Sequence, residues 1–206
     1  MDEMRYIAVE GPIGVGKTTL THRLTESLNA QPFLEEPEDN PFLGRFYNDP
    51  KRYALAAQLS FLVQRARQID DLRQGDLFAT RCVADFLFAK DRLFAQLTLE
   101  LSELHLYDEI YRRLAFDAPQ PDRVIYLHAP TEVLLERVKK RDRQAEAGLE
   151  PEYLERVAER YNAFFAQYQE APLIVVDADK YDLVNNRDDY NHLLEAIATP
   201  QQFIHL

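Results

Sequence analysis

An α/β fold, with a parallel sheet covered by helices on both faces, is what this sequence predicts, and three observations predict it. Five short apolar runs, at residues 6–10, 31–34, 82–86, 123–128 and 173–177, have the length of buried strands. The stretches between them carry helical periodicity, so strands and helices alternate. The first run leads directly into a glycine-rich turn and then a helix, and parallel sheets of this kind bind ligands at the carboxyl ends of their strands.

Taken in order, Tyr6 to Glu10 is the first strand, and Leu20, Leu24 and Leu28 line one face of the helix after the glycines. Gln31 to Leu34 is the second strand and ends at Glu35-Glu36-Pro37. A helix begins within Pro41 to Tyr47 and is interrupted at Asp49-Pro50. A long helix follows from about Lys51 to Asp70. Cys82 to Phe86 is the third strand, with Asp85 at its end. Arg92 to about Phe116 forms one or two helices, with a break expected near His105. Arg123 to His128 is the fourth strand, after which Thr131 caps a helix with an apolar face. Glu150-Pro151 opens another helix reaching about Tyr168. Leu173 to Asp177 is the fifth strand, and Tyr190 to Ala198 the last helix. No repeat, linker or low-complexity tract divides the chain, so residues 1–206 read as one domain with a five-stranded sheet.

Composition narrows the partners. The 206 residues carry a net charge of −11, which argues against a duplex nucleic acid or an anionic membrane as partner. Hydrophobic residues make up 46% and charged residues 29%, the balance of a water-soluble globular chain. Cys82 is the only cysteine, so no intrachain disulfide forms, and its apolar neighbours suit packing rather than reactivity. Nothing at the start of the sequence has the pattern of a signal peptide, and no run approaches the roughly 20 apolar residues of a membrane span. A cytoplasmic location is expected.

The glycine-rich turn, Gly11-Pro12-Ile13-Gly14-Val15-Gly16-Lys17-Thr18, satisfies G-x-x-x-x-G-K-[ST] at every position, with a strand before and a helix after. Glycines let backbone N–H groups close around phosphate oxygens, and the helix N-terminus adds positive potential. Lys17 is expected on the β- and γ-phosphates of ATP, Thr18 on Mg²⁺, and Thr19 beside them. This is the cradle of a P-loop kinase fold, although GTPases, ATPases and motors share it.

Phosphoryl transfer to a hydroxyl also needs a base, a metal ligand and cations over the transferred group. Candidate bases are Glu35, Glu36, Glu38 and Asp39, and Asp85 is the candidate metal carboxylate. Five basic residues in seven, Arg137 to Arg143, stand out in an acidic chain and read as a lid over the triphosphate, spanning about 137–149.

With these residues in view, residues 5–195 resemble the deoxynucleoside kinase family, especially its bacterial members acting on deoxyadenosine, deoxyguanosine and deoxycytidine. Residues 35–43 are similar to the family's stretch carrying the base for the 5′-hydroxyl. The ungapped match puts the base at Glu35, with Glu36 as the competing register. Tyr47 resembles the residue on the sugar 3′-hydroxyl, Gln58, eleven residues on, the residue pairing with the nucleobase, and Arg65, seven further, a residue at the base edge. Asp85 matches the acid of the family's acid-Arg-Ser motif, but Phe86 replaces the Arg, and Lys90 is the substitute cation suggested. Asp91, six past Asp85, is similar to an acid found in members accepting cytosine or purines, and purines are favoured. Arg141 and Arg143 resemble the lid arginines, Glu146 a second ligand of the 3′-hydroxyl, and Asp177, Asp179 and Lys180 the start of the loop around the ATP adenine. The resemblance implies ATP-dependent nucleoside salvage by a magnesium enzyme and a homodimer, with the helices between Lys51 and Phe116 as its candidate face. Two rivals remain. A nucleoside monophosphate kinase, such as a thymidylate kinase, needs further arginines for an acceptor phosphate. A switch GTPase or regulatory nucleotide-binding module would show a guanine-reading Asn-Lys-x-Asp, which is missing.

Overall fold

Buried β-branched and small residues extend, and the computed structural model builds a six-stranded, wholly parallel sheet from them; it describes residues 4–74, 81–114 and 118–206. The strands are β1 (Tyr6–Glu10), β2 (Gln31–Phe33), β3 (Cys82–Ala84), β4 (Arg123–His128), β5 (Leu173–Asp177) and β6 (Phe203–His205), in spatial order β2-β3-β1-β4-β5-β6. The chain turns back across β1 between β3 and β4, which opens a crevice at the carboxyl end of β1.

The sixth strand corrects the expected count of five. It is three residues long, lies on the edge, and pairs Phe203 with Leu173 and Ile204 with Ile174. No apolar run of strand length announces it, and its ladder to β5 is a tertiary contact. β3 also stops at Ala84, just before Asp85, whose backbone N–H donates to the Phe33 carbonyl at 3.0 Å and whose side chain lies past the end of the strand.

Around the sheet lie α1 (Lys17–Leu28), α2 (Leu43–Asn48), α3 (Pro50–Gln74), α4 (Lys90–Thr98), α5 (Leu101–Leu114), α6 (Thr131–Arg141), α7 (Pro151–Phe165) and α8 (Arg187–Ala198). The break in the fourth helical region falls at Leu99, which adopts an extended conformation, and not near His105, which sits inside α5. The end expected at Phe116 lies outside the described residues. Pro130, rather than Thr131, occupies the N-cap of α6. α8 starts earlier than expected because Asn186 caps it, its side-chain oxygen accepting from the Asp188 and Asp189 N–H groups.

One core face packs Val9, Leu20, Leu24, Leu134 and Ile197 against the sheet, and the other packs Ala8, Tyr126, Tyr161 and Phe165. Cys82 is buried, and burial pushes its thiol up to about 12, as packing rather than reactivity requires. No described helix is long and apolar enough to cross a membrane.

Candidate active site

The cradle is made by backbone, and its glycines do different jobs. A Cβ on Gly11 would stand 2.3 Å from the Leu127 carbonyl oxygen, so this glycine lets the turn lie directly against β4. Gly16 caps α1 with φ +105°, and a Cβ there would meet nothing within 4 Å. The first glycine is required by packing and the last by a left-handed backbone beside open space, where an anion fits. Lys17 folds back over the turn, its Nζ donating to the carbonyls of Gly11 at 2.7 Å and Pro12 at 3.2 Å. Burial, and next the Lys90 ammonium, lower its pKa to about 8. An ammonium on two neutral carbonyls is short of negative charge, which a triphosphate would supply.

Beside it, the Thr18 hydroxyl donates to Asp85 Oδ2 at 2.6 Å, while Asp85 Oδ1 accepts the Glu35 N–H at 2.7 Å. Hydroxyl and carboxylate are hard oxygen donors and converge from α1 and the end of β3, so these residues fit Mg²⁺.

These groups open into one cavity. Ile13, Gly14, Lys17, Thr18 and Asp85 line it beside the cradle, together with Glu35, Tyr47, Gln58, Arg65, Asp91 and Glu146. Glu36 is not among the lining residues; its backbone carbonyl accepts from Gln64 Nε2 at 3.0 Å. Of the two competing carboxylates, the cavity therefore holds Glu35.

The rest of the lining is built from paired charges. Arg65, buried in α3, ion-pairs with Glu35 and with Asp91, and its guanidinium lies 5.1 Å from the centre of the Phe61 ring. Lys90 Nζ lies 3.0 Å from the Glu35 carboxylate. Burial raises the Asp91 carboxyl to about 6 against the opposing pull of Arg65 and Lys90, and one of its oxygens has no hydrogen-bond partner. Gln58 lies two turns of α3 before Arg65, and both reach the cavity. Tyr47 stacks edge-on against Tyr153 with ring centres 6.0 Å apart, and burial raises its hydroxyl well above the usual range.

The basic segment splits into three. Arg137, inside α6, donates to the carbonyls of Val15 at 3.2 Å and Ala178 at 2.8 Å, and so ties the cradle to the loop after β5. Arg141, the last residue of α6, ion-pairs with Glu146, its Nε donating to Oε2 at 3.0 Å. Arg143 pairs with Glu38 at 3.2 Å. Both Arg141 and Arg143 also line the cavity. The expected lid thus begins as rigid helix, and only residues after Arg141 leave it.

A second cleft borders the cradle from the other side, lined by Val15, Gly16, Thr19, Arg137, Asp179 and Lys180. Asp177 is not among its lining residues; it accepts from Lys180 Nζ at 2.7 Å and from the Asp179 N–H at 3.2 Å, which fixes the loop.

Sequence reasoning passed over Glu10 and Tyr161. The signal for Glu10 was a carboxylate closing an otherwise apolar strand just before the glycines.

A lysine over a glycine cradle and a carboxylate opening on the same cavity define the class: a P-loop phosphotransferase acting on a hydroxyl. Comparison with known proteins narrows this further. A sequence model of the deoxynucleoside kinase family matches residues 7–204. The chain is 36% identical over 200 residues to deoxyguanosine kinase of Bacillus subtilis (strain 168), covering 94% of this chain and 96% of that protein. It is 31% identical over 208 residues to deoxyadenosine kinase of Lactobacillus acidophilus, covering 94% and 95%. The structure of deoxyadenosine kinase from M. mycoides with bound dATP superimposes with a TM-score of 0.81 at 24% identity, over 95% of this chain and all of that one. The chain belongs to the deoxynucleoside kinase family and is an enzyme that phosphorylates deoxynucleosides.

Proposed function

We propose that this enzyme transfers the γ-phosphoryl group of ATP to the 5′-hydroxyl of a purine deoxynucleoside in nucleoside salvage, with deoxyguanosine as the first candidate and cytosine nucleosides as weaker acceptors. The observation that carries the reading is the placement of Glu35, a carboxylate opening on the same cavity as Lys17, Thr18 and Asp85. Glu35 takes the 5′-hydroxyl proton as that oxygen attacks the terminal phosphorus in line, and ADP leaves with the bridging oxygen. Tyr47 and Glu146 hold the sugar, while Gln58, Arg65 and Asp91 read the nucleobase edge.

One feature favours a nucleoside over a nucleotide acceptor. Arg65, the cation at the base-reading end, is committed to Glu35 and Asp91 and has little charge left for an acceptor phosphate. Lys90, at 3.0 Å from Glu35, stands where the attacking oxygen would meet the phosphoryl group, and supplies the cation that Phe86 cannot. Arg141 and Arg143 exchange their carboxylate partners for phosphate oxygens as the residues after Arg141 close over the end of α6. Mg²⁺ would be held by Thr18 and Asp85, where it would neutralise charge on the phosphate oxygens. Asp179, Lys180 and Thr19 border the adenine end of ATP, and Asp177 holds their loop.

A cytoplasmic homodimer completes the proposal. Val63 on α3 and Leu101, Leu106 and Leu114 on α5 are exposed, and these helices would form the shared face. Sedimentation of the purified protein at twice the 24.0 kDa chain mass checks it.

The deciding experiment is ATP-dependent phosphorylation of the four deoxynucleosides, each assayed alone. A purine is expected to give the highest kcat/KM. Thymidine as the preferred acceptor, or acceptance of monophosphates only, would end the reading.

A further inference from the structure

A fully buried carboxylate outside the cavity lining needs a reason. Glu10 closes β1, has no exposed surface, and is not among the residues lining the cavity. Its Oε1 accepts from the Gly11 N–H at 2.9 Å and from the Tyr161 hydroxyl at 3.0 Å. Its Oε2 accepts from the Leu87 N–H at 2.8 Å and lies 3.8 Å from Lys90 Nζ. One side chain therefore touches the first residue of the cradle, α7, the loop that follows Asp85, and the buried lysine at the start of α4.

Burying a carboxylate is costly unless hydrogen bonds and a counter-charge surround it. Glu10 has three donors and an ammonium, so its burial is compensated, and the compensation is geometric. The donors belong to segments far apart in sequence that meet at the transfer site. Lys90 is itself fully enclosed and lies between two carboxylates, Glu10 behind it and Glu35 in front. Burial pushes the Lys90 ammonium toward its neutral form, and Glu10 is the strongest influence holding its charge.

We propose that Glu10 is a positioning residue of the phosphoryl-transfer site, which fixes the charged Lys90 side chain and the 85–90 loop against the first turn of the phosphate cradle. The inference rests on the reading of Lys90 as a cation at the transferred phosphoryl. Glu10 touches neither substrate and acts through Lys90.

The test is a double-mutant cycle in the full-length enzyme, with Glu10→Gln, Lys90→Met and the pair, assayed with ATP and the best deoxynucleoside. Gln keeps the shape, loses the charge and presents an NH₂ to one of the facing N–H groups. Glu10→Gln is expected to lower kcat about 10- to 100-fold while both KM values stay within about threefold. In the Lys90→Met background the same change is expected to lower kcat less than about threefold, because its route is already gone. A merely structural Glu10 would give fold-losses that multiply in the double variant, and that result overturns the proposal. So does a Glu10→Gln enzyme within twofold of the parent, a loss confined to KM, or a Lys90→Met enzyme with parental kcat. If Glu10→Gln does not fold, Glu10→Asp, which keeps the charge but withdraws it by one methylene, is run through the same cycle. Failure of the kinase reading itself is separate, because the unmutated enzyme would then phosphorylate no deoxynucleoside.

Discussion

The donor and acceptor ends of the cavity are built on opposite plans. The phosphate cradle of the donor end is one contiguous stretch, residues 11–18, whose backbone makes the site and whose side-chain contribution is chiefly Lys17 and Thr18. The acceptor end collects Glu35 after β2, Tyr47 from α2, Gln58 and Arg65 from α3, and Asp91 from α4. Triphosphate is the same in every ATP, so a fixed backbone cradle suffices. A nucleobase must be told from others, which requires separate side chains whose spacing is adjustable. The lesson is a division of labour: the donor end carries affinity for a common group, and the acceptor end carries chemistry and choice.

That division can be broken by showing cross-talk. The largest effect expected is from Glu35→Gln, which removes the proposed base. It should lower kcat by about 10²–10⁴ and leave the ATP dissociation constant, measured by calorimetry, within about twofold. A variant that loses ATP affinity along with turnover would show that the two ends are not separable.

Next in size is Gln58→Leu, which deletes the amide proposed to read the nucleobase from α3. It should reduce kcat/KM for the preferred deoxynucleoside about 10- to 100-fold, mostly through KM, with the KM for ATP unchanged. An equal loss for all four deoxynucleosides would mean that Gln58 supports the pocket without reading the base.

The smallest effect is in pH and sharpens the contrast from the donor side. Lys17 has its pKa lowered to about 8, by burial and then by Lys90, and only its protonated form attracts phosphate. Below pH 8 the free enzyme holds the ammonium and binds ATP fully. Above pH 8 the lysine is neutral before ATP arrives, so affinity should fall about tenfold per pH unit, while deoxynucleoside affinity stays flat to the same pH. ATP binding that is constant to pH 9.5 would place the Lys17 pKa in the ordinary lysine range.

The donor end was legible because its residues are neighbours in the chain and their spacing alone fits them to a phosphate chain. The long helix was legible too, and with it the two-turn relation of Gln58 to Arg65. Along the chain, Glu35 and Glu36 could not be told apart, since both follow the same strand. What separates them is a contact fifty residues away, the Glu35 N–H on the Asp85 carboxylate. Lys90 was suggested only as a replacement for a missing arginine, and its place beside Glu35 depends on how α4 packs on α3. The lid arginines were found as a run of charge, yet the run conceals three roles, because Arg137 faces back onto the cradle while Arg141 and Arg143 face the cavity.

By itself the sequence determined the alternation of strand and helix and the phosphate cradle, because periodicity and short motifs are local properties of a chain; Arg65, Asp91 and Glu146 were pointed to by the resemblance to the family. The tertiary structure alone decided which carboxylate lines the cavity, which lysine stands beside it, that Glu10 lies behind that lysine, and that a sixth strand extends the sheet. Each of these depends on distances between segments far apart in sequence, and such distances follow from the packing of helices on the sheet.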